Sequence, residues 1–222
     1  MMFALAAFGL TSCGDKDSEG LTGVTSYAVL TMNGDNVVVV NKGESFEDPG
    51  CTAVMGGEDV SDQIQVVSNV NTSALGFYTV SYRVVNPDGF AASAERTVAV
   101  VDRNNFASTY LSRSQYGARV YTNLPIVISD NGDGTYEIND LAGGLYCYGR
   151  YPGYDAYGYD FFYEATIRLN ADNTITLVDG DATNWYWEIE LNIANGTYDP
   201  ATGTIELELD FDGDPLYVTL TK

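Results

Sequence analysis

Seven of the chain's 17 tyrosines fall within residues 143–163, which read GGLYCYGRYPGYDAYGYDFFY. Phe161 and Phe162 join Tyr146, Tyr148, Tyr151, Tyr154, Tyr157, Tyr159 and Tyr163 there, and Pro152 with glycines 149, 153 and 158 spaces them. A tyrosine offers a flat apolar face and a hydroxyl at small entropic cost, which suits rings that stack on the C–H faces of sugars. Arg150, Asp155 and Asp160 add donors and acceptors for sugar hydroxyls. Tyr148, Arg150, Tyr151, Tyr154, Asp155, Tyr157 and Tyr159 are therefore the candidate glycan-binding residues. A competing reading has some rings filling the interior and others shielding a glycine-rich hairpin, because strand alternation sends half of any aromatic run inward. Trp185 and Trp187 invite the same sugar chemistry, but they share a face with Ile189 and Leu191, which points to core packing. Tyr186, on the opposite face, joins the candidate set.

Other chemistries are harder to build from this composition. The 222 residues contain no histidine, which removes Ser-His-Asp and Cys-His catalysis and His-ligated zinc or haem. An enzyme would have to work with carboxylates alone, as glycosidases do. With 31 Asp and Glu present, however, any acidic pair is a weak signal, and a non-catalytic protein is expected. Two stretches approach calcium-loop spacing. In the first, Ser129, Asn131, Asp133, Gly134 and Asp140, a serine stands at the leading ligand position. In the second, Asp210, Asp212 and Asp214, the glycine is misplaced and Pro215 ends the loop. Both read as hairpin turns, so no metal and no cofactor is expected. Ten Lys and Arg against those 31 acids leave a net charge of −21, which repels nucleic acid phosphates. An apolar content of 45% is nonetheless enough to build a core.

The elements that must position these residues are strands. Beyond residue 25, short runs rich in Val, Ile, Tyr and Thr alternate with Gly, Asn and Asp turns. Residues 37–40 form an apolar strand after the turn Asn33-Gly34-Asp35-Asn36. Residues 77–85 place Tyr78, Val80, Tyr82 and Val84 on one face, and residues 95–101 return after Asn86-Pro87-Asp88-Gly89. Gly76-Phe77-Tyr78 before the inward Val80 has the spacing of a tyrosine corner. After Asn105 a meander follows: 125–129 and 135–141 flank a turn, then 165–169, 174–178, 185–193, 205–211 and 216–220. One apolar and one acidic face per strand implies an antiparallel sheet around a single core. The fold class is all-β, an Ig-like sandwich followed by a lipocalin-like barrel or curled sandwich of roughly eight strands. Domain boundaries are expected at 1–25 (signal and tether), 26–103 and 104–222. Cys51 and Cys147 fall in different halves and are expected to be buried free thiols.

Four segments carry resemblances. Residues 1–12 are an uncharged apolar run, too short to span a bilayer, and Leu10-Thr11-Ser12-Cys13 resembles a bacterial lipobox in which Cys13 is lipidated. No Lys or Arg precedes the run, so the true start is expected a few residues upstream. Gly14-Asp15-Lys16-Asp17-Ser18-Glu19 is similar to the acidic export tag of Bacteroidetes surface lipoproteins, or is a plain solvated linker. Gly43-Glu44-Ser45-Phe46-Glu47-Asp48-Pro49-Gly50-Cys51, then 75–84 and 96–102, resemble the bacterial Ig-like domain also found in pesticidal crystal proteins. Gly134-x-Tyr136-x-Ile138-x-Asp140 leading to Gly143-Gly144-x-Tyr146 resembles the β-rich C-terminal domain of small Bacteroidetes lipoproteins associated with polysaccharide-utilisation systems.

Together these imply an outer-membrane, lipid-anchored protein facing the cell exterior. It would bind or present neutral polysaccharide or oligosaccharide, in the company of an outer-membrane transport complex. The alternative is adhesion or complex assembly through another protein, and a third reading is a hollow barrel around a small apolar ligand. Labelling with palmitate checks the anchor: the Cys13→Ala variant should take up none, and an unchanged signal would exclude the lipobox.

Overall fold

The computed structural model describes residues 25–182 and 185–222, and Cys13 with its lipobox lies outside them. The first half contains β1 (Ala28–Met32), β2 (Val37–Asn41), β3 (Cys51–Met55), β4 (Glu58–Asp59), β5 (Gln65–Ser68), β6 (Gly76–Val85) and β7 (Ala91–Val101). They form a three-stranded sheet, β1-β3-β4, and a four-stranded sheet, β2-β7-β6-β5. All pairings are antiparallel except β2 with β7. Alternation turns Val80, Tyr82 and Val84 inward while Arg83 is exposed. The expected tyrosine corner forms, with the Tyr78 hydroxyl donating to the Ala74 carbonyl at 3.0 Å.

The motifs that carry the Ig-like resemblance meet at one buried cation. Arg96 on β7 is fully buried. Its Nε donates to Asp48 Oδ1 at 3.1 Å, and the Tyr82 hydroxyl donates to the same oxygen at 2.5 Å. The rest of the guanidinium donates to the carbonyls of Asn33 (2.7 Å), Gly50 (3.1 Å) and Asp35. A buried charge is tolerated only when paired and hydrogen-bonded, and here five acceptors from three chain segments, the Tyr82 hydroxyl among them, meet that requirement.

The second half contains β8 (Ser108–Tyr116), β9 (Arg119–Asp130), β10 (Tyr136–Ile138), β11 (Ala165–Leu169), β12 (Ile175–Gly180), β13 (Leu191–Asp199), β14 (Thr204–Phe211) and β15 (Asp214–Thr221). They make one eight-stranded antiparallel sheet in the order β12-β11-β10-β9-β8-β15-β14-β13. Its two ends approach through a bridge between Thr174 and Thr197 and a hydrogen bond from Tyr198 N to the Asn173 carbonyl at 2.9 Å. The result is a nearly closed barrel, which settles barrel against curled sandwich. Ile205, Leu207, Leu209 and Phe211 point inward, as do Leu216, Val218 and Leu220. Several details differ from expectation: β8 is a strand where none was expected, and β9 begins at Arg119 instead of 125. The strand expected over 185–193 begins only at Leu191, because Glu188 at φ 53° turns the chain and its N–H returns to the Trp185 carbonyl at 3.0 Å. Cys51 is half-buried, since it begins β3 where the two-residue β4 does not reach, whereas Cys147 is buried; both are free thiols.

The barrel is not hollow. Residues 139–164, between β10 and β11, form a π-helical turn (Leu145–Arg150) and a 3-10 turn (Tyr154–Tyr157) instead of the glycine-rich hairpin. Leu141, Ala142, Leu145, Tyr146 and Cys147 are buried, so the first part of this connection enters the barrel. A Cβ on Gly143 would lie 2.4 Å from Ser114 Oγ and 2.6 Å from Val218 Cγ1 on the inner wall. Ser114 donates its hydroxyl to the Gly143 carbonyl at 2.7 Å. Asp140, fully buried, holds the turn. One carboxylate oxygen accepts from the N–H groups of Ala142 and Tyr163, both at 3.1 Å. The other accepts from Gly144 N at 2.7 Å and the Cys147 thiol at 3.3 Å.

Burial pushes the Asp140 carboxyl up to about 6, against the opposite pull of these donors. The folded chain therefore holds a proton that the unfolded chain has lost between roughly pH 4 and pH 6. Stability from this group is full below about pH 4 and falls by about 3 kcal/mol as pH rises through that window. Urea unfolding of wild type and Asp140→Asn checks this. Their stability difference should shift against the wild type by up to about 3 kcal/mol between pH 4 and 7, and a difference that stays flat with pH would exclude a raised carboxyl.

Candidate functional site

Register defines two barrel ends. Ser108, Asp199 and Thr204 lie at the end where the chain arrives from the Ig-like sheets, and Tyr116, Arg119, Phe211 and Asp214 lie at the other. The near end is sealed by Phe106, whose ring meets Tyr136 at 4.7 Å and Tyr198 at 5.1 Å. The Lys222 ammonium lies 4.9 Å from the Tyr110 ring centre. The far end carries the tyrosine-rich connection, about 25 Å of strand away.

There the rings form one connected assembly. Tyr151 stacks on buried Phe161 with centroids 4.8 Å apart, and Phe161 meets Tyr186 at 5.1 Å and Trp187 at 5.2 Å. Tyr146, beneath them, lies 4.1 Å from Trp187. Tyr154 touches Tyr151, Tyr157 and Tyr159, and Tyr159 touches Tyr186. Tyr146, Phe161, Tyr163 and Trp185 are buried, while Tyr157 is 78% exposed and Tyr186 53%. The inner rings fill the barrel mouth, and the outer rings face solvent.

Each candidate residue can now be placed. Tyr151, Tyr154, Tyr157, Tyr159 and Tyr186 are contiguous. Tyr148 stands apart, edge-on to Phe162 at 5.4 Å, and borders a small pocket of about 120 Å³ with Tyr151, Asp155 and Tyr159. Burial pushes the Tyr148 phenol up to about 12, so it is a hydrogen-bond donor at neutral pH. Arg150 is spread over Tyr151, with Nε donating to its hydroxyl at 2.7 Å and the guanidinium carbon 5.2 Å from the ring centre. Asp155 is exposed, whereas Asp160 accepts from Phe162 N at 2.9 Å within its own loop.

A second feature escaped the sequence reading. A cleft of about 310 Å³ opens beside the rings, with Tyr151 and Trp187 along one side and Arg119, Arg150, Asp212 and Asp214 around it. Trp187, expected in the core with Trp185, is only half-buried and reaches this cleft. The turn at Glu188 redirects it. Arg119 and Asp214 come from different hairpins that the β8–β15 pairing brings together, a long-range placement that no local pattern announces. The usable signal was scarcity, since residues 104–222 hold only five basic side chains and two of them line this cleft. Among the described residues no group of three or more Cys, Asp and Glu side chains is arranged to hold a metal ion.

Comparison with known proteins places the chain. A family model for a C-terminal domain matches residues 101–222, and the model for the bacterial surface protein Ig-like domain matches residues 30–100. The chain belongs to the family that carries this C-terminal domain. Its first half is a bacterial surface Ig-like domain, and neither family description names a catalytic activity. The crystal structure of the lipoprotein BT2262 from Bacteroides thetaiotaomicron is 28% identical, with a TM-score of 0.58 over 88% of this chain and 100% of that one. A Clostridium perfringens ZmpB structure containing CBM51-2 in complex with GlcNAc is 13% identical, with a TM-score of 0.29 over 87% of this chain and 43% of that one, too low to carry an argument. A search of the curated proteins returned no match.

The two indoles of this family member provide a direct check on the site geometry. Trp187→Phe should remove most of the acrylamide-quenchable fluorescence and leave the sheltered emission of Trp185. Unchanged quenching would place Trp187 in the core instead.

Proposed function

We propose that this protein is anchored to the outer membrane through Cys13, faces the cell exterior, and binds neutral glycan without transforming it. Residues 1–25 would be signal and tether, 26–103 a spacer, and 104–222 the binding domain, presenting its ligand to an outer-membrane transport complex. The observation that carries the reading is the aromatic assembly at the far barrel end. Its outer rings, Tyr154, Tyr157, Tyr159 and Tyr186, are exposed although each is large enough to favour burial. Chain order supports the orientation, because this end is opposite the one joined to the Ig-like half and hence to the tether. The similarity to a lipoprotein supports the anchor. The acidic coat favours a neutral partner over an anionic one.

The second reading, docking on another protein, has the edge strand β5 in its favour, where Val66 and Val67 are exposed. Affinity gels over amylopectin, xyloglucan, galactomannan and arabinan separate the two. Wild type should be retarded by at least one of them, and Tyr157→Ala/Tyr186→Ala should weaken that binding about tenfold, roughly 1.4 kcal/mol. Free migration of the wild type in every gel would reject glycan binding. Stoichiometric co-purification with an envelope protein would then favour the second reading.

A further inference from the structure

We propose that the cleft between Trp187 and the Arg119–Asp214 pair is a subsite for one neutral pyranose unit, gripped edge-on through two adjacent hydroxyls. The inference rests on the glycan reading above and gives it a second, chemically distinct contact point. Three observations lead to it.

The first is unspent hydrogen-bonding capacity. Among the described residues Arg119 makes no side-chain hydrogen bond and no ion pair, and neither does Asp212. Asp214 accepts only from the Tyr116 hydroxyl, at 3.2 Å. Arg150 commits its Nε to Tyr151 and keeps the other guanidinium N–H groups free. A sugar hydroxyl both donates and accepts. A carboxylate that only accepts, beside a guanidinium that only donates, therefore satisfies a pair of neighbouring hydroxyls from both sides.

The second is charge. Residues 104–222 carry 18 acids and five bases, a net of −13, yet the cleft lining has two arginines and two aspartates, a net of zero. The surrounding field opposes anions, and the cleft itself offers a cation no net attraction, so a neutral hydroxyl-rich ligand is the one it fits. The third is shape. Tyr151 and Trp187 line the cleft with aromatic surface, and the volume of about 310 Å³ lies at the small end of the range for ligand sites.

The topology explains why the charged pair stands there. Asp212 at φ 55° and Gly213 at φ 87° make the tight two-residue turn between β14 and β15, which holds the aspartates at the rim. Gly117 at φ 56° turns β8 into β9 and delivers Arg119 next to them. Beyond the rim a hollow of about 560 Å³ shares Tyr116, Arg119 and Asp214 and adds Tyr217. The pair therefore sits on a ridge between two concavities, so the site accepts an internal unit of a chain and not only its end.

Calorimetry with the full chain tests this, using the hexasaccharide and monosaccharide of whichever polymer retards the wild type. Arg119→Ala and Asp214→Ala should each raise the hexasaccharide Kd tenfold or more. Both residues are exposed, and near-UV circular dichroism confirms that the fold is kept. The hexasaccharide should shift Trp187 emission in wild type and not in Arg119→Ala, and should bind more tightly than the monosaccharide. If both variants bind within twofold of wild type while Tyr157→Ala/Tyr186→Ala loses binding, the subsite is wrong and the glycan reading stands. If the wild type binds none of the polymers, both are overturned.

Discussion

The buried carboxylate of Asp140 is the constraint on which the second half of this protein depends. An eight-stranded barrel needs its interior filled, and here the filling is a piece of its own chain rather than large inward side chains on every strand. Such a connection brings backbone N–H groups into an apolar space where water cannot satisfy them. Asp140 accepts three of them and a thiol. Without that acceptor the turn through Gly143 and Gly144 would carry unsatisfied donors, and the rings beyond it would have no fixed base.

A comparable solution appears in the Ig-like half with the sign reversed. Arg96 gathers the carbonyls of Asn33, Asp35 and Gly50 and the Asp48 carboxylate, tying two loops to the sheet. In both halves a single buried charge organises segments that strand alternation leaves free. The energetic logic differs. Arg96 has a counter-ion, whereas Asp140 has only dipoles around it, and that is why burial raises its pKa.

Much of the architecture was legible from the chain. Period-two alternation in Phe77 to Val85 and Ile205 to Phe211 gave the inward faces, because a half-buried strand has no other way to hide its apolar side chains. Turn residues gave most hairpins. What stayed hidden depended on tertiary context. β8 reads STYLSRSQY, and its inward serines look like a loop until the inserted glycine turn that they accommodate is seen. The π-helical turn lacks a helical apolar stripe, since it is six residues long, with Leu145, Tyr146 and Cys147 buried together and Tyr148, Gly149 and Arg150 reaching the surface. The tyrosine cluster was visible as composition, and its division into inner and outer rings was not. Trp187 looked like its neighbour Trp185 because one left-handed residue, Glu188, breaks the alternation. Arg119 and Asp214 are 95 positions apart, so only the barrel's closure order makes them neighbours.

That order has a consequence for how the molecule comes into being. β8, the first strand of the barrel, hydrogen-bonds on one side to β15, from Thr221 opposite Leu111 to Leu216 opposite Tyr116. A chain that emerges N-terminus first cannot complete this pairing until β15 has appeared, although every strand of the Ig-like half is already available. Folding of the second half therefore waits for its last strand, while the Ig-like half can form beforehand. During that interval the outward glutamates of β14 and the other acidic faces discourage unfinished edges from joining those of neighbouring molecules. The same strand order that assembles the cleft thus sets the order in which the two halves can fold.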